Sequence, residues 1–368
     1  MSRAVALVLV LLPTLAHAVE TVRISMGTQA ESVELSGRAL GFGQDSEETT
    51  FSPARGTKAK VSNVRGRLWL DGVPLPFPAV RFRAGEWGQD AGSPGHEGIR
   101  VGDLDVRGDV VVKAQGSALL LINVLPLEDY LAGVLGSEMP KSFPDEALKA
   151  QAVAARTYAL RKKLEMYGAD FHLGSSVLSQ VYGGLGREDP RTRSAVEATR
   201  GEVLTYELEP IEAYFHASCG GHTESGLSAL GRDLPYLQPV DCPCGKLPGA
   251  KWELTLKAKD LKASLGKDAS SVAVVARSET GRARRVRVGP ERTLDAVAFR
   301  ERLGYTKLKS LAFDIERGQG PEIRISGRGY GHGAGLCQWG AKLYADQGWD
   351  YRRILTHYYP GAELQTLY

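Results

Sequence analysis

The sequence predicts a mixed α+β fold in which a β-rich scaffold surrounds an alanine-rich central helix. From residue 19 to about residue 123, short stretches alternate apolar and polar side chains, which is the period of half-buried strands. Residues 142–160 lack that alternation and carry six alanines, whose small side chains let neighbouring backbone approach closely. From residue 251 to about residue 315, strand and helix patterns alternate again. We therefore expect a buried helix packed between β-rich parts.

The strand patterns come first along the chain. Alternation appears at residues 21–25, 67–70 and 105–112, and glycine and proline punctuate these runs. Residues 118–122 form a continuous apolar run, which favours a strand that is buried on both faces.

A first helix is predicted after these strands. Pro126 suits a helix start, and Glu128 and Asp129 place negative charge on the first turn, where the helix dipole favours it. Gly133 and Gly136 weaken the helix and predict its end.

The break after this helix carries a carboxylate, Glu138. Pro140 disfavours the helical conformation at Met139, so the chain must extend there. Ser142 and Pro144 then give the start signals of the alanine-rich helix. From spacing alone, a loop carboxylate that only makes hydrogen bonds is the simpler interpretation of Glu138.

Polar residues interrupt the alanine-rich helix in two stripes. Gln151 and Tyr158 are seven residues apart, as are Lys149 and Arg156, so each pair shares a helix face. A buried helix with polar stripes, entered from a loop that holds Glu138, is typical of the floor of a binding site.

Two loops are predicted on either side of a second run of strands and helices. Residues 174–186 contain Gln180 and Tyr182, and residues 327–335 form a glycine-rich turn around His332. That turn is not a nucleotide-binding loop, because no Lys-Ser/Thr pair follows it and no βαβ unit surrounds it.

The N-terminus has the pattern of a secretory signal peptide. Residues 1–18 hold Arg3, then an apolar run, then Ala16-His17-Ala18, which fits a cleavage site of small residues. The mature chain is expected to begin near Val19 and to lie outside the cytoplasm, without a lipid anchor because no cysteine stands at the cleavage site. The apolar run is too short to cross a bilayer, and no later stretch reaches that length.

Charge does not favour a nucleic-acid partner. The net charge is only +3 with 24% charged residues, and we interpret the basic run at residues 282–287 as an exposed strand face.

The cysteines allow three interpretations. Cys219 and His222 lie on a glycine turn, and Cys242 and Cys244 follow about twenty residues later, so this set offers four ligands of the zinc type. His216 is a spare ligand. An exported chain with an even number of cysteines also favours disulfides, and free thiols are the third alternative. A zinc ion with four protein ligands would be structural.

Several stretches together resemble one family. LPLEDYLAGVLGSEMP at residues 125–140, EALKAQAVAARTYAL at 146–160, QVYGG at 180–184, FHASCGGHTES at 215–225 and GRGYGHGAGLCQWGA at 327–341 closely resemble the SpoIID/LytB family of stage II sporulation protein D and amidase enhancers. The residue patterns predict a signal peptide at 1–18 and a β-rich region at 19–100, and the resemblance implies a SpoIID/LytB-like catalytic region at 101–368.

The family supplies expectations for individual residues. In sporulation members the matching glutamate is the catalytic residue of a lytic transglycosylase, and that role carries over to Glu138. The motif residues and the polar stripes give the expected substrate-binding set: Gln151, Arg156, Tyr158, Gln180, Tyr182, His332 and Gln338. Parts of the family bind zinc near Cys219. Cys337 stands where the family commonly has a small residue, so we expect it to serve packing.

The resemblance implies an exported enzyme that cleaves the glycan strands of peptidoglycan. One carboxyl suffices for this reaction if it first donates a proton to the glycosidic oxygen and then removes the proton of the muramic acid C6 hydroxyl; Leu135 and Met139 would supply an apolar setting that raises its pKa. The alternative is a non-catalytic protein that binds the wall and enhances an N-acetylmuramoyl-L-alanine amidase. No cell-wall-binding repeats are visible, which favours the enzyme.

Overall fold

A computed structural model describes residues 20–368, apart from 30, 47, 86–97, 175–179, 181, 267–268, 270 and 318–321. It confirms a mixed α+β fold. The predicted signal peptide, residues 1–18, and the expected mature start at Val19 lie outside the described residues.

The first half of the chain is mainly strands, followed by two helices. Its elements are β1 (Thr21–Gln29), β2 (Ser32–Ser36), β3 (Gly41–Gln44), β4 (Ser52–Pro53), β5 (Lys58–Val64), β6 (Arg67–Leu70), β7 (Val73–Pro74), β8 (Ala79–Arg83), β9 (Ile99–Val101), β10 (Leu104–Val106), β11 (Asp109–Gln115), β12 (Ala118–Pro126), α1 (Leu127–Glu138), α2 (Asp145–Glu165) and β13 (Leu173–Gly174).

The second half mixes short strands and helices. Its elements are α3 (Pro190–Ala198), β14 (Glu202–Tyr206), β15 (Glu209–Pro210), β16 (Phe215–His216), α4 (Gly226–Leu230), β17 (Lys251–Lys257), α5 (Ala258–Leu265), β18 (Val272–Arg277), β19 (Ala283–Val288), β20 (Arg292–Asp295), α6 (Ala296–Leu303), β21 (Phe313–Arg317), β22 (Glu322–Arg328), β23 (Leu336–Cys337), α7 (Gln338–Asp346), α8 (Tyr351–Tyr358) and β24 (Glu363–Thr366).

Two sheets form the N-terminal scaffold. One has the order β13-β1-β12-β11-β8-β3-β4, and the other has the order β10-β9-β2-β5-β6-β7. The first sheet joins strands from both sides of residue 100, since β12 pairs with β1 in the register Val22↔Leu125 and β11 pairs with β8. Residues 119–126 of β12 are all buried, as their continuous apolar pattern predicts.

Helix α2 lies at the centre of the molecule. It packs against α1, α3, α7, α8 and β14. Every residue from 150 to 160 is buried, so neighbours cover the helix all round rather than on one face. The alanines make this possible because they add no bulk between the helix backbone and its neighbours.

Helix α1 ends later than the sequence predicts. It continues through Gly133 and Gly136 to Glu138. These glycines serve close approach instead of termination: a Cβ on Gly136 would lie 1.9 Å from the carbonyl oxygen of Arg187, and one on Gly133 would lie 3.0 Å from the Tyr182 ring. The predicted break is real but shorter, because Met139 is extended at φ −126°, ψ 144°.

Helix α2 starts at Asp145, after Pro144 rather than after a Ser142 cap, and no side chain caps it.

Residues 251–330 have a hydrophobic core of their own, and we call this segment the 251–330 unit. Its sheets have the orders β17-β22-β21 and β18-β19-β20, and α5 and α6 cover them. The basic run at 282–287 is only partly the exposed face that we predicted. Arg284, Arg285 and Arg287 are exposed, but Arg282 is buried against the loop that follows β16.

Within the described residues, no helix is both long and apolar enough to cross a bilayer.

Candidate active site and thiol cluster

Glu138 stands at the wall of a cleft between the main body and the 251–330 unit. The cleft encloses about 1280 Å³, part of which is open to solvent. Its lining comes from the end of α1, from α2, α4 and β16, from the turn before β23, and from α6 and its following loop. The lining residues are Glu138, Tyr158, Tyr214, Phe215, His216, Ala229, Leu230, Val297, Arg300, Tyr305, Leu311, Gly331 and His332.

The local fold holds Glu138 at the rim. It is the last residue of α1 and is half-buried. The next residue, Met139, is 3% exposed and its backbone N–H donates to the Leu135 carbonyl at 3.0 Å. The chain then turns outward at the exposed Pro140. A buried anchor directly after the carboxylate thus fixes the position from which its side chain reaches the cleft.

Tyr158 is the residue of the polar stripes that lies in the cleft. It is on α2, and its ring meets the Tyr214 ring edge-on at a centroid distance of 5.6 Å. Arg300 of α6 faces the same space. Its guanidinium donates to the carbonyls of Leu308 and Lys309 at 2.7 Å each. Burial lowers the pKa of Arg300 to about 10, so it is charged at neutral pH.

His332 lines the cleft, but both ring nitrogens are used by the backbone. Nε2 lies 2.8 Å from the Phe215 carbonyl oxygen, which can only accept, so Nε2 carries the proton. Nδ1 accepts the backbone N–H of Ala334 at 3.1 Å. Burial lowers the pKa of His332 to about 4, and the ring is neutral at neutral pH. His332 therefore shapes the wall of the cleft.

His216 is a second cleft histidine, which the sequence suggested only as a spare metal ligand. Its ring centroid lies 5.3 Å from that of His332, and its Nδ1 lies 3.1 Å from the Ala334 carbonyl oxygen. Burial holds the pKa of His216 well below its usual value. It is not a member of the thiol cluster described below.

Arg156 does not reach the cleft, contrary to its predicted role in substrate binding. It is completely buried and forms a bidentate ion pair with Glu128, at 2.9 Å and 2.7 Å. The remaining donors reach the carbonyls of Val196 and Glu202, and the Tyr368 hydroxyl donates to Glu128. A buried guanidinium needs such partners, and this one finds them between α1, α2 and α3.

Gln151 and Gln338 are also inside the protein. The Gln338 amide donates to the Gln151 side-chain oxygen at 3.4 Å, where α7 packs against α2. The polar stripe therefore joins two helices at this point, and the geometry does not support contact with a substrate.

Gln180 and Tyr182 both pack against α1, and Gln180 also contacts α2. Gln180 accepts the Tyr130 hydroxyl at 2.8 Å and donates to the Ala155 carbonyl at 3.1 Å. Tyr182 packs on the Tyr130 ring at 5.3 Å, and burial raises the pKa of both phenols. Both residues are buried, so they support α1 from behind and do not line the cleft.

The four cysteines converge in one buried cluster. The Sγ atoms of Cys219, Cys242, Cys244 and Cys337 lie within 4.8 Å of one another. The Cys219–Cys244 separation is 3.3 Å and the Cys244–Cys337 separation is 3.7 Å, well beyond the roughly 2.05 Å of a disulfide bond. The cysteines are thus free thiols in this structure.

The membership of this cluster corrects two predictions. Cys337 is not merely a packing residue, because the parallel pairing of β16 with β23 brings it beside the loop of Cys219. His222 is not in the cluster. Its Nδ1 lies 2.8 Å from the Thr223 carbonyl oxygen and its Nε2 lies 3.5 Å from Asp241, so both ring nitrogens have partners outside the four thiols.

The cluster has the donors and spacing that a tetrahedral zinc ion requires. Four sulfurs at about 2.3 Å from one zinc ion lie roughly 3.8 Å apart, close to the separations found here. Hydrogen bonds from the other three thiols lower the pKa of Cys244. Backbone N–H groups of Cys219 and Gly340 donate to Cys337 Sγ at 3.3 Å each, as outer-shell donors do around bound thiolates.

Comparison with known proteins identifies the family. A sequence model described as SpoIID, stage II sporulation protein, matches residues 115–206, which include α1, α2 and α3. Stage II sporulation protein D of Bacillus subtilis (strain 168) is 34% identical over 259 residues, covering 65% of this chain and 74% of that protein. The chain belongs to the SpoIID family.

Two further relatives carry different names. An uncharacterized protein of Brachyspira hyodysenteriae is 34% identical over 275 residues, covering 73% of this chain and 74% of that protein. The amidase enhancer of Bacillus subtilis (strain 168) is 31% identical over 291 residues, covering 64% of this chain and 40% of that protein. The resemblance inferred from the motifs is confirmed, while the names leave the activity of this SpoIID protein open.

Proposed function

We propose that this SpoIID protein is an exported lytic transglycosylase that cleaves MurNAc–GlcNAc glycan strands of peptidoglycan, with Glu138 as general acid and base. The observation that carries the proposal is the position of Glu138, half-buried at the end of α1 and in the wall of the large cleft. Among the described residues that line this cleft, Glu138 is the only acid.

A single carboxyl fits this reaction better than ordinary hydrolysis, which usually takes two carboxyl groups. Protonated Glu138 donates its proton to the glycosidic oxygen, and the bond from that oxygen to the muramic acid C1 breaks. The C6 hydroxyl oxygen of the same sugar bonds to C1, and its proton passes to the Glu138 carboxylate. The product carries a 1,6-anhydro-MurNAc end, and the carboxyl regains its starting state.

The test is Glu138→Gln, which keeps the shape of the side chain and removes its acid. We expect the rate of release of anhydro-ended fragments from purified glycan strands to fall by roughly 10² to 10⁴. Glu197→Gln is the matched control, because Glu197 is an exposed carboxylate on α3 that forms an ion pair with Arg200, three residues later. Anhydro-ended products from the Glu138 variant at the wild-type rate would refute the assignment.

The second candidate is a non-catalytic enhancer of an N-acetylmuramoyl-L-alanine amidase, which the similarity to an amidase enhancer favours. One assay distinguishes the two functions. An enhancer produces no fragments from glycan strands alone, and it accelerates an added amidase equally well with Glu138 or with Gln at that position.

We also propose that the thiol cluster holds one structural zinc ion. Cys219, Cys242, Cys244 and Cys337 would be its ligands, with no position left open for substrate. When bound, the ion would supply cross-linking of distant segments and no step of the glycan reaction.

A further inference from the structure

A second recess adjoins the cleft and contains an exposed tryptophan. It encloses about 810 Å³, part of it open to solvent. Its lining is mostly apolar and aromatic. The residues are Ala217, Ser218, Leu247, Pro248, Gly249, Ala250, Tyr330 and Trp339. No predicted site residue lies in it.

Trp339 is held rigidly while its indole remains open to solvent. It is 38% exposed, although the preceding residue on α7, Gln338, is buried. The Phe143 ring packs edge-on against it at a centroid distance of 5.0 Å, and its backbone N–H donates to the Ala217 carbonyl at 3.0 Å. The indole N–H has no hydrogen-bond partner among the described residues. A large aromatic face and a spare donor are therefore presented together.

Tyr330 forms the other aromatic wall, and it is equally fixed. Lys309 donates to its hydroxyl at 3.0 Å and lies 4.8 Å from the ring centroid. Its backbone exchanges two hydrogen bonds with Ser218, at 2.7 Å and 3.0 Å. A ligand that enters this recess meets two rings that need little further ordering, which lowers the entropic cost of binding.

The recess and the cleft are consecutive along the same two chain segments. Residues 214–216 and 331–332 line the cleft, and the adjoining residues 217–218 and 330 line the recess. Glu138 and Phe143, which contacts Trp339, are five residues apart, so their Cα atoms are separated by at most about 18 Å. The recess is therefore close enough to Glu138 for a long polymer bound there to reach it.

We propose that the Trp339–Tyr330 recess is a subsite that binds a sugar ring of the glycan strand away from the scissile bond. This inference rests on the proposed function, since it assigns the polymer at Glu138 a second point of attachment. A pyranose ring presents apolar C–H groups on its faces and hydroxyl or acetamido oxygens at its edge. These match the aromatic faces and the indole N–H of the recess.

Binding can be tested separately from cleavage by placing the recess variants in a Glu138→Gln background. We expect Trp339→Ala to weaken the binding of purified glycan strands about tenfold, with Trp339→Phe closer to the parent because a stacking face remains. Tyr167→Ala is the control: Tyr167 is 91% exposed, follows the C-terminal end of α2, and should bind as the parent does. Thermal unfolding of each variant verifies that it is folded.

In protein that retains Glu138, Trp339→Ala should raise KM for long strands and change kcat little. Unchanged strand binding by folded Trp339→Ala would overturn the subsite, even if Glu138→Gln abolishes cleavage. Loss of binding to an added amidase with glycan binding intact would also overturn it, because the recess would then be a protein-docking surface. If Glu138→Gln leaves cleavage unchanged while Trp339→Ala weakens strand binding, the proposed chemistry fails and the subsite stands.

Discussion

Glu138 and Arg156 are ionisable residues of neighbouring helices, and their surroundings give them different roles. Glu138 is half-buried and borders the cleft, where a ligand can reach it. Arg156 is sealed from solvent, and Glu128 compensates its charge with two hydrogen bonds. Burying the Arg156 guanidinium without a partner would cost several kcal/mol, so α1 can pack against α2 here only because the two side chains form an ion pair.

Removal of one partner of this ion pair should lower the free energy of unfolding far more than removal of both partners. Arg156→Met leaves the Glu128 carboxylate buried and unpaired, and we expect it to lower the free energy of unfolding by about 3–5 kcal/mol. Adding Glu128→Gln should recover part of that loss. Urea denaturation of the single and double variants measures both changes. A single variant as stable as the wild type would contradict the role given to the pair.

His172 should make the stability of the protein depend on pH. Burial, together with the positive charges of Lys163 and Arg23, lowers the pKa of His172 to about 4. The unfolded chain, with a pKa near 6.5, therefore binds the proton more readily than the folded chain. This contribution to stability is complete above about pH 6.5 and is lost as the pH falls towards 4.

The difference between wild type and His172→Asn isolates this effect. The wild type should lose on the order of 2 kcal/mol more than the variant between pH 7 and pH 4.5, because partial solvation reduces the effect of the full shift. Urea midpoints at the two pH values measure it. Equal losses in both proteins would show that the imidazole is not responsible.

At the scale of elements, α1 depends on glycines inside a helix. Glycine weakens a helix by roughly 1 kcal/mol relative to alanine, yet Gly136 is needed because the Arg187 carbonyl lies where a side chain would be. The segment with Arg187 and Tyr182 thereby packs directly on the last turn of α1. The position of Glu138 is set by this contact as well as by the helix.

Gly136→Ala should therefore destabilise the protein despite its better helix propensity. We expect a net loss of about 1–2 kcal/mol, from an overpacking cost of about 1–3 kcal/mol partly offset by propensity, together with reduced glycan cleavage as Glu138 shifts. Gly186→Ala is the matched control, because a Cβ there meets nothing within 4 Å. Thermal unfolding and the glycan assay would be run on both variants, and equal behaviour would disprove the close-contact explanation.

At the scale of the whole molecule, the thiol cluster joins parts of the chain that are far apart in sequence. Cys219 follows β16, Cys242 and Cys244 lie before the 251–330 unit, and Cys337 lies after it. A metal ion held there would connect the two ends of that unit to the body that carries Glu138. Zinc binding would then stabilise the folded state, since the unfolded chain does not preform the site.

Metal content distinguishes the ligand set of the structure from the set that the sequence suggested. We expect about one zinc ion per chain in the wild type and in His222→Ala, and loss of zinc with a lower Tm in Cys337→Ser. Mass spectrometry of the purified proteins before and after chelation measures this. Zinc loss in His222→Ala, with zinc retained in Cys337→Ser, would restore the sequence-based set. If the wild-type protein contains no zinc, the proposed zinc site is wrong.

Features that depend on residues close together in the chain can be predicted from the sequence alone. Alternation predicted the strands, the alanines predicted the central helix, and Pro140 predicted the extended Met139, because steric and periodic effects act over a few residues. The motif that contains Glu138 also identified the family. Which polar residues face the cleft, and which sulfur atoms lie together, depends on how the helices and strands pack. Arg156 contacts Glu128, Gln338 contacts Gln151 and Cys337 contacts Cys219. These partners lie 28 to 187 positions apart in the chain, so local sequence patterns do not reveal them and only packing brings them together.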